Sequence, residues 1–285
     1  MRTKLPNILI ALLFVVGAGI FLYPTADNFF YERSASQAVV TYGETVQEAS
    51  AEDVQAQREA ARAYNEGLYR NPVILTEPFD EDAWDHPSLN GYNELLNLTE
   101  EMAFIEIPRL GQTLPVYHGT GEDALQKGVG HLQNTSLPIG GESTHAVLCA
   151  HCGLPQAELF THLDTMEVGD IFRITVLGET LTYKVYDIQV VEPAEVSSLY
   201  VEEGRDLVTL LTCTPYGSNT HRLLVHGERT SDDASTPTAN DAPEEPTGIP
   251  WGAIALGIVA LMAFIFVIAL ARGRKGSGEP DNRTG

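Results

Sequence analysis

DLVTLLTCTPYGSNTHRLLVHGE, residues 206–228, contains two apolar runs separated by a stretch of turn-forming residues. The first run, Asp206–Thr212, is rich in Leu, Val and Thr, and the second covers Leu223–Val225. The Pro, Gly, Ser and Asn between them predict a turn that joins two paired β-strands. In such a pair Cys213 ends one strand and Arg222 begins its neighbour, so a thiol and a cation would face one cleft.

A cation beside a thiol is the neighbourhood that a cysteine nucleophile needs. The thiolate is the reactive form, and a nearby positive charge favours it over the neutral thiol. Cys213 is therefore a candidate nucleophile, with Arg222 as its fixed cation. The alternative is a strand cysteine that only packs, because free cysteines are among the most buried residue types.

The first of two uncharged apolar runs lies near the start of the 285-residue chain. Ile8–Tyr23 follows Arg2 and Lys4, a pattern typical of a signal peptide or a signal anchor. No convincing small-x-small cleavage site follows, which favours a retained anchor. Cleavage near Ala26 is the alternative.

The second apolar run, Trp251–Ala271, is long enough to cross a bilayer and is followed by Arg272, Arg274 and Lys275. Because basic residues flank the outer side of each run, the positive-inside rule places both termini in the cytoplasm. We expect a protein of the cell membrane whose middle region is extracellular.

The composition argues against nucleic acid as a partner. The chain has 39 acidic and 17 basic residues and a formal charge of −22, so its surface would repel phosphate-rich polymers. Three cysteines cannot all pair with one another, so at least one thiol stays free or bonds to another molecule.

The chain divides into segments that differ in composition and in the spacing of their apolar residues. Residues 35–70 have apolar residues at helical spacing, residues 71–97 form a long loop of the kind that serves as a lid, and residues 230–248 are too polar to bury a core. The predicted segments are 1–34 (cytoplasmic start and signal anchor), 35–70 (helical), 71–97 (lid loop), 98–229 (β domain), 230–248 (disordered linker), 249–271 (transmembrane helix) and 272–285 (cytoplasmic tail).

Within the β domain, short apolar runs between Pro and Gly predict a closed barrel or a sandwich. Short helices are predicted at Glu122–Gln126 and Gln156–Leu163. The predicted strands are Met102–Ile107, Thr113–Tyr117, Thr144–Ala150, Asp170–Leu177, Leu181–Val191, Asp206–Cys213 and Arg222–Arg229.

Of the eight histidines, His151 is placed best to assist Cys213. It follows the apolar run Ala146–Ala150 and precedes a Gly-Leu-Pro break, so it lies at a strand end, where catalytic residues are common. The alternative is a histidine that only caps the loop through backbone hydrogen bonds.

Longer motifs resemble a known family. TLLTCTPYGSNTHRLLVHGER from Thr209 resembles the signature of class C, pilus-assembling sortases, which are membrane-anchored cysteine transpeptidases of Gram-positive bacteria. IEIPRLGQTLPVYHGT from Ile105, LQKGVGHLQNTSLPIGGESTHAVL from Leu125 and GLPQAELFTHLDTMEVGDIF from Gly153 are also similar. The resemblance extends from about Ala60 to Arg229.

The resemblance implies an eight-stranded sortase β-barrel that works without a cofactor or a metal. It makes Cys213 the nucleophile, His151 the general acid and base, and Arg222 the group that steadies the substrate and the oxyanion. The substrate would be an LPxTG-type sorting signal on a pilin or surface protein, cleaved between Thr and Gly. The acceptor would be a pilin lysine or a lipid-linked peptidoglycan amine.

The family closes its cleft with a lid that carries an Asp-Pro-aromatic motif. The matching residues are Glu77, Pro78 and Phe79, with Glu in place of Asp. The resemblance implies that Glu77 faces Arg222 and that Phe79 plugs the cleft. The alternative is an ordered loop without that role.

The sequence differs from the family pattern a second time at Cys152, where family members usually have Arg. Cys152 lies three residues after Cys149. This C-x-x-C is compatible with a zinc site, a Cys149–Cys152 disulfide, or a Cys152 that traps Cys213; no second ligand pair at zinc-finger spacing supports zinc. The alternative is a core Cys149 and a surface Cys152.

Two rival functions also stay open: a cysteine protease that transfers the acyl group to water, and a membrane-tethered, non-enzymatic adhesion or structural β domain.

Overall fold

A computed structural model describes residues 4–79, 91–154 and 156–231 of the chain. Its main feature is a closed barrel of eight strands in the order β1-β2-β3-β4-β7-β8-β6-β5. The strands are β1 (Ala103–Ile107), β2 (Gln112–His118), β3 (Val129–His131), β4 (Thr144–Cys149), β5 (Ile171–Val176), β6 (Glu179–Val191), β7 (Asp206–Thr214) and β8 (His221–Arg229). The predicted mainly-β, closed eight-stranded fold is confirmed.

Two of the eight strand pairs are parallel, β2 with β3 and β4 with β7, and the others are antiparallel. β4 is buried along its whole length, because apolar residues cover both of its faces. The inner face belongs to the barrel core, and the outer face belongs to a second apolar cluster. A strand covered on both faces lacks the alternating pattern of a half-exposed strand, which explains the continuous apolar run in its sequence.

Two helices precede the barrel, α1 (Lys4–Glu48) and α2 (Ala51–Arg70). Ala49 and Ser50 separate them, and Ser50 caps α2, since its hydroxyl accepts a hydrogen bond from the Asp53 N–H at 3.0 Å. Ala61, Tyr64 and Leu68 of α2 lie one or two turns apart and pack into the barrel core. The predicted helical segment therefore consists of the end of α1 and the whole of α2.

The last turns of α1 also attach to the barrel. Ala35, Val39, Tyr42 and Val46 are buried at spacings of three and four residues. The Tyr42 hydroxyl donates to the Met102 carbonyl at 3.2 Å and accepts from the Leu177 N–H at 2.8 Å, so it bridges two loops of the barrel.

Two details of the β domain differ from the sequence prediction. The helix predicted at Gln156–Leu163 is wrong. The segment is mostly turns, with a left-handed Leu159 (φ 42°), and a 3-10 helix begins only at Leu163; residue 155 lies outside the described residues. Strand β3 is not among the predicted strands, because three residues are too few to show an alternating apolar pattern. The short helix predicted at Glu122 is confirmed as Glu122–Leu125.

Within the described residues no helix combines the length and the apolar character that crossing a bilayer requires. The two transmembrane helices predicted to flank the barrel are thus not supported and stay predictions. Residues 80–90 of the lid loop, residues 232–248 of the linker, the predicted C-terminal span and the tail lie outside the described residues.

Candidate active site

Cys213 and Arg222 are direct partners in the β7–β8 ladder. Both are 9% exposed, at the point where the two strands leave the barrel and the turn begins. Side chains on opposed residues of antiparallel strands point to the same face, so the thiol and the guanidinium share one rim. The placement predicted from the two apolar runs is what the structure shows.

His151 leaves the barrel beside the same rim. It follows β4, whose parallel partner β7 ends just after Cys213, and the two strands stay joined beyond the last ladder pair. The Ala150 N–H donates to the Leu211 carbonyl at 3.2 Å, and the Thr212 hydroxyl donates to the Ala150 carbonyl at 2.7 Å. These bonds fix the backbone from which the imidazole projects.

The Arg222 guanidinium is held from two sides. Its Nε donates to Glu77 Oε1 at 2.8 Å, and its Nη1 donates to the carbonyls of Asn219 and His221 at 3.0 Å each. The left-handed backbone of Asn219 (φ 52°) turns its carbonyl toward the guanidinium. Because the turn itself binds Nη1, the cation would stay in place when Glu77 leaves.

The predicted lid residues lie directly over these groups. The Glu77 and Arg222 side chains are only 15% and 11% exposed, so their ion pair is shielded from solvent. Phe79 lies between the arginine and the histidine: its ring centre is 5.3 Å from the Arg222 guanidinium carbon and 6.2 Å from the His151 ring centre, at 25° to that ring. The Phe79 N–H donates to Glu77 Oε2 at 3.2 Å, which ties the two lid residues together.

The root of the lid is anchored in the outer apolar cluster. Leu75 is 7% exposed and its N–H donates to the Tyr200 hydroxyl at 3.2 Å. The cluster consists of Leu75, Leu125, Leu132, Val147, Cys149, Leu199, Leu211 and Leu224, with Phe79, Val191, Val196 and Tyr200 packed against it. This lid therefore covers an apolar surface that leads along β4 and β7 to Cys213.

The charges around Cys213 oppose one another. Burial raises the pKa of the thiol, the Arg222 cation lowers that pKa, and the Glu77 carboxylate and Cys152 raise it. With the lid in place, Glu77 neutralises the cation that would favour the thiolate. The net effect in the described structure is a raised pKa of the Cys213 thiol.

All three cysteines are free thiols in the structure. Cys149 is fully buried in the outer cluster, and burial raises its pKa well above the ordinary value. Cys152 is partly exposed, and its Sγ lies 3.9 Å from the Thr161 carbonyl oxygen. Among the described residues no group of three or more His, Cys, Asp or Glu side chains is arranged to hold a metal ion.

Sequence reasoning missed Glu122 and Leu75. Glu122 Oε2 lies 3.7 Å from His151 Nε2, although the two residues are far apart in the chain. No spacing rule connects a one-turn helix to a strand end, so only the fold brings the two together. Leu75 lies in a run of apolar residues, and the sequence does not indicate which of them is buried.

Comparison with known proteins identifies the family. The sortase domain family matches residues 105–230. The sortase C1 of GBS pilus island 1 is 42% identical, with 72% of this chain and 96% of that chain covered and a TM-score of 0.65. The chain belongs to the sortase family. The sortase C-1 of Actinomyces oris is 47% identical over 62% of this sortase and 98% of that chain, with a TM-score of 0.59.

Two curated relatives match over a shorter region. Sortase D of Bacillus subtilis is 28% identical over 44% of this chain and 62% of that protein, and Sortase A of Streptococcus agalactiae is 30% identical over 44% of this chain and 51% of that protein. The match thus covers less than two thirds of either protein. The prediction of a sortase similar to the class C enzymes, and with it of a cysteine transpeptidase, is confirmed, and the non-enzymatic alternative is set aside.

Proposed function

We propose that this sortase cleaves an LPxTG-like sorting signal between Thr and Gly and joins the new acyl end to an amine. The observation that carries the proposal is the Cys213–Arg222 pair, opposed on two strands, with the cation in contact with a lid carboxylate. A cation kept beside a thiol, but neutralised until a lid leaves, suits an enzyme that must not react before its substrate arrives.

In the first half of the reaction the Cys213 thiol gives its proton to His151, and the resulting thiolate attacks the Thr carbonyl carbon. The Arg222 guanidinium faces the oxygen on which negative charge develops. As the C–N bond breaks, the proton passes from the imidazolium to the leaving amine of Gly, and a thioester on Cys213 remains.

In the second half an amine attacks the thioester carbon. His151 accepts the proton that this amine loses, and the sulfur leaves as the thiolate, which regains a proton at the end of the cycle. A lysine side chain of a pilin subunit would give an isopeptide bond and extend a pilus. A lipid-linked peptidoglycan amine would transfer the chain to the cell wall.

We further propose that the enzyme works at the outer surface of the cell membrane, with both ends of the chain in the cytoplasm. The apolar run Ile8–Tyr23, the run Trp251–Ala271 and the basic residues outside each of them support this arrangement. The acidic composition argues against nucleic acid as a partner. The chemistry proposed here needs neither a metal nor another cofactor.

Intact mass spectrometry tests the reaction. The purified chain would be incubated with a peptide that contains LPxTG, beside a Glu77→Ala/Phe79→Ala lid variant and a Cys213→Ala control. We expect a mass increase equal to the acyl fragment, carried on Cys213 and absent from the control. Addition of a primary amine should convert this adduct to a peptide–amine product faster than water converts it to the acid.

Each outcome has a distinct meaning. An adduct that forms only in the lid variant supports both the nucleophile and the occluded resting state. Hydrolysis that outpaces aminolysis would favour a protease. A folded, reduced protein that forms no adduct in either active form would contradict the proposed reaction with this class of signal.

A further inference from the structure

His151 has one ring nitrogen that the proposed reaction does not explain. Its Nε2 is shielded from solvent and has no hydrogen-bond partner. A buried nitrogen without a partner is uncommon, because leaving it unpaired costs about 1–3 kcal/mol. Glu122 Oε2 lies 3.7 Å away, beyond hydrogen-bond length but within ion-pair distance.

The Glu122 carboxylate is held toward the imidazole by a short chain of amides. Its Oε1 accepts a hydrogen bond from the Gln126 amide, one turn along the same helix. The side-chain oxygen of Gln126, Oε1, in turn accepts a hydrogen bond from the side-chain Nε2 of Gln156, which belongs to the loop that follows His151. The same loop donates a backbone bond from the Phe160 N–H to the His151 carbonyl at 3.3 Å. Side-chain hydrogen bonds thus link this helix to the loop that follows His151, and the Glu122 carboxylate is the last group in the series.

On its other side the imidazole faces the lid. Phe79 is an apolar neighbour and offers no hydrogen bond, so Glu122 is the anionic group paired with this ring among the described residues. The other titratable or charged groups near this rim include Glu77, Cys152, Cys213 and Arg222, and Asp164, whose charge raises the pKa of Cys152. Glu77 is bound to Arg222, which leaves Glu122 as the carboxylate available to the histidine.

We propose that Glu122 is a positioning residue that receives the Nε2–H of His151 during acyl transfer. The carboxylate would fix the tautomer with the proton on Nε2 and stabilise the imidazolium, while Nδ1 exchanges the reacting proton. In thioester formation that proton moves from Cys213 Sγ to Nδ1 and then to the leaving amine. In the second half it moves from the incoming amine to Nδ1. This inference rests on the proposed sortase reaction and specifies the work of its histidine.

Three forms of the full chain, purified in detergent, test it: wild type, Glu122→Gln and Asp123→Asn. Asp123 is the matched control, since it is exposed on the same helix and loses the same charge. We expect kcat for transfer of the LPxTG peptide to a primary amine to fall about tenfold to a hundredfold in Glu122→Gln, the range of one charge-assisted hydrogen bond. KM should change less than twofold, and Asp123→Asn should resemble wild type.

The pH dependence of Cys213 alkylation gives a second readout, which would not change if Glu122 had only a structural role. The reaction would be followed by peptide mapping with iodoacetamide, in the Glu77→Ala/Phe79→Ala background. If Glu122 stabilises the imidazolium that accompanies the thiolate, half-maximal alkylation shifts to higher pH in Glu122→Gln, by about one unit. If Glu122 is only a nearby negative charge, its removal shifts the profile to lower pH.

The outcomes separate this inference from the function on which it rests. An inactive wild type would contradict the sortase reaction itself. An active wild type with an unchanged kcat in Glu122→Gln, or a profile that moves to lower pH, would overturn the role of Glu122 and leave the reaction standing. Should Glu122→Gln lose its fold, Gln126→Leu removes the bond that holds the carboxylate, and a wild-type kcat in that variant would equally contradict the proposal.

Discussion

Two buried histidines should make the barrel sensitive to mild acid. His131 is fully buried, and its Nε2–H donates to the Ser136 carbonyl at 2.8 Å, so its Nδ1 is the acceptor that faces the Tyr92 hydroxyl at 2.8 Å. His145 is equally enclosed: Nδ1–H donates to the Tyr200 carbonyl at 2.9 Å, and Nε2 lies 2.7 Å from the Thr209 hydroxyl. In each pattern a neutral ring donates one hydrogen bond to a backbone carbonyl and faces a hydroxyl with its other nitrogen.

Burial lowers the pKa of both His131 and His145 to about 4, from an ordinary value of 6.5. Because the folded state binds the proton less readily than the unfolded chain, the stability that these rings contribute is complete above about pH 6.5 and is lost as the pH falls toward 4. Between pH 7 and pH 5 the loss is about 2 kcal/mol for each ring and about 4 kcal/mol for both. Burial also lowers the pKa of His226, which acts in the same direction.

Denaturant unfolding measured every half unit from pH 7.5 to pH 5 checks this prediction. His131→Gln removes one titrating group, so the dependence of the unfolding free energy on pH should decrease by about 1 kcal/mol per unit, whatever the variant does to stability at neutral pH. His162→Gln, at an exposed position, is the matched control and should keep the wild-type dependence. A flat wild-type profile above pH 5, or an unchanged dependence in His131→Gln, would refute the reasoning.

Three further predictions follow from contacts elsewhere in the fold. Glu77→Gln should speed alkylation of Cys213 at pH 7.5, because the Glu77 carboxylate raises the pKa of that thiol, whereas Glu203→Gln at an exposed position should not. Gly227→Ala should destabilise the barrel by about 1–3 kcal/mol in denaturant unfolding, since a Cβ there would lie 2.5 Å from the Phe172 ring. Asn65→Ala should cost about 2–4 kcal/mol in the same assay, because it removes both bonds to the buried Leu137 backbone.

Much of the barrel could be predicted because its strands are long and separated by turn residues. The pairing of Cys213 with Arg222 followed from two apolar runs and the breakers between them, and β7 and β8 pair as expected. The stretch at Gln156–Leu163 misled the prediction, since its composition suits a helix and only the left-handed Leu159 shows the chain turning back. Local composition predicts a strand pair well and a compact irregular loop poorly.

The lid and the histidine site show where sequence reasoning ends. Glu77 and Phe79 were identified through a family motif, and nothing in their own sequence indicated that one carboxylate would reach a cation 145 residues away. Glu122 belongs to no motif at all, and only the folded chain brings it to 3.7 Å from His151. If Glu77 holds the closed lid on Arg222 and Glu122 supports the imidazole of His151, as we propose, the two acidic groups should act at different steps. Loss of Glu77 should affect access to Cys213, and loss of Glu122 should affect proton transfer after access is gained. A Glu77→Ala/Glu122→Gln double variant should therefore gain thiol access and still turn over slowly.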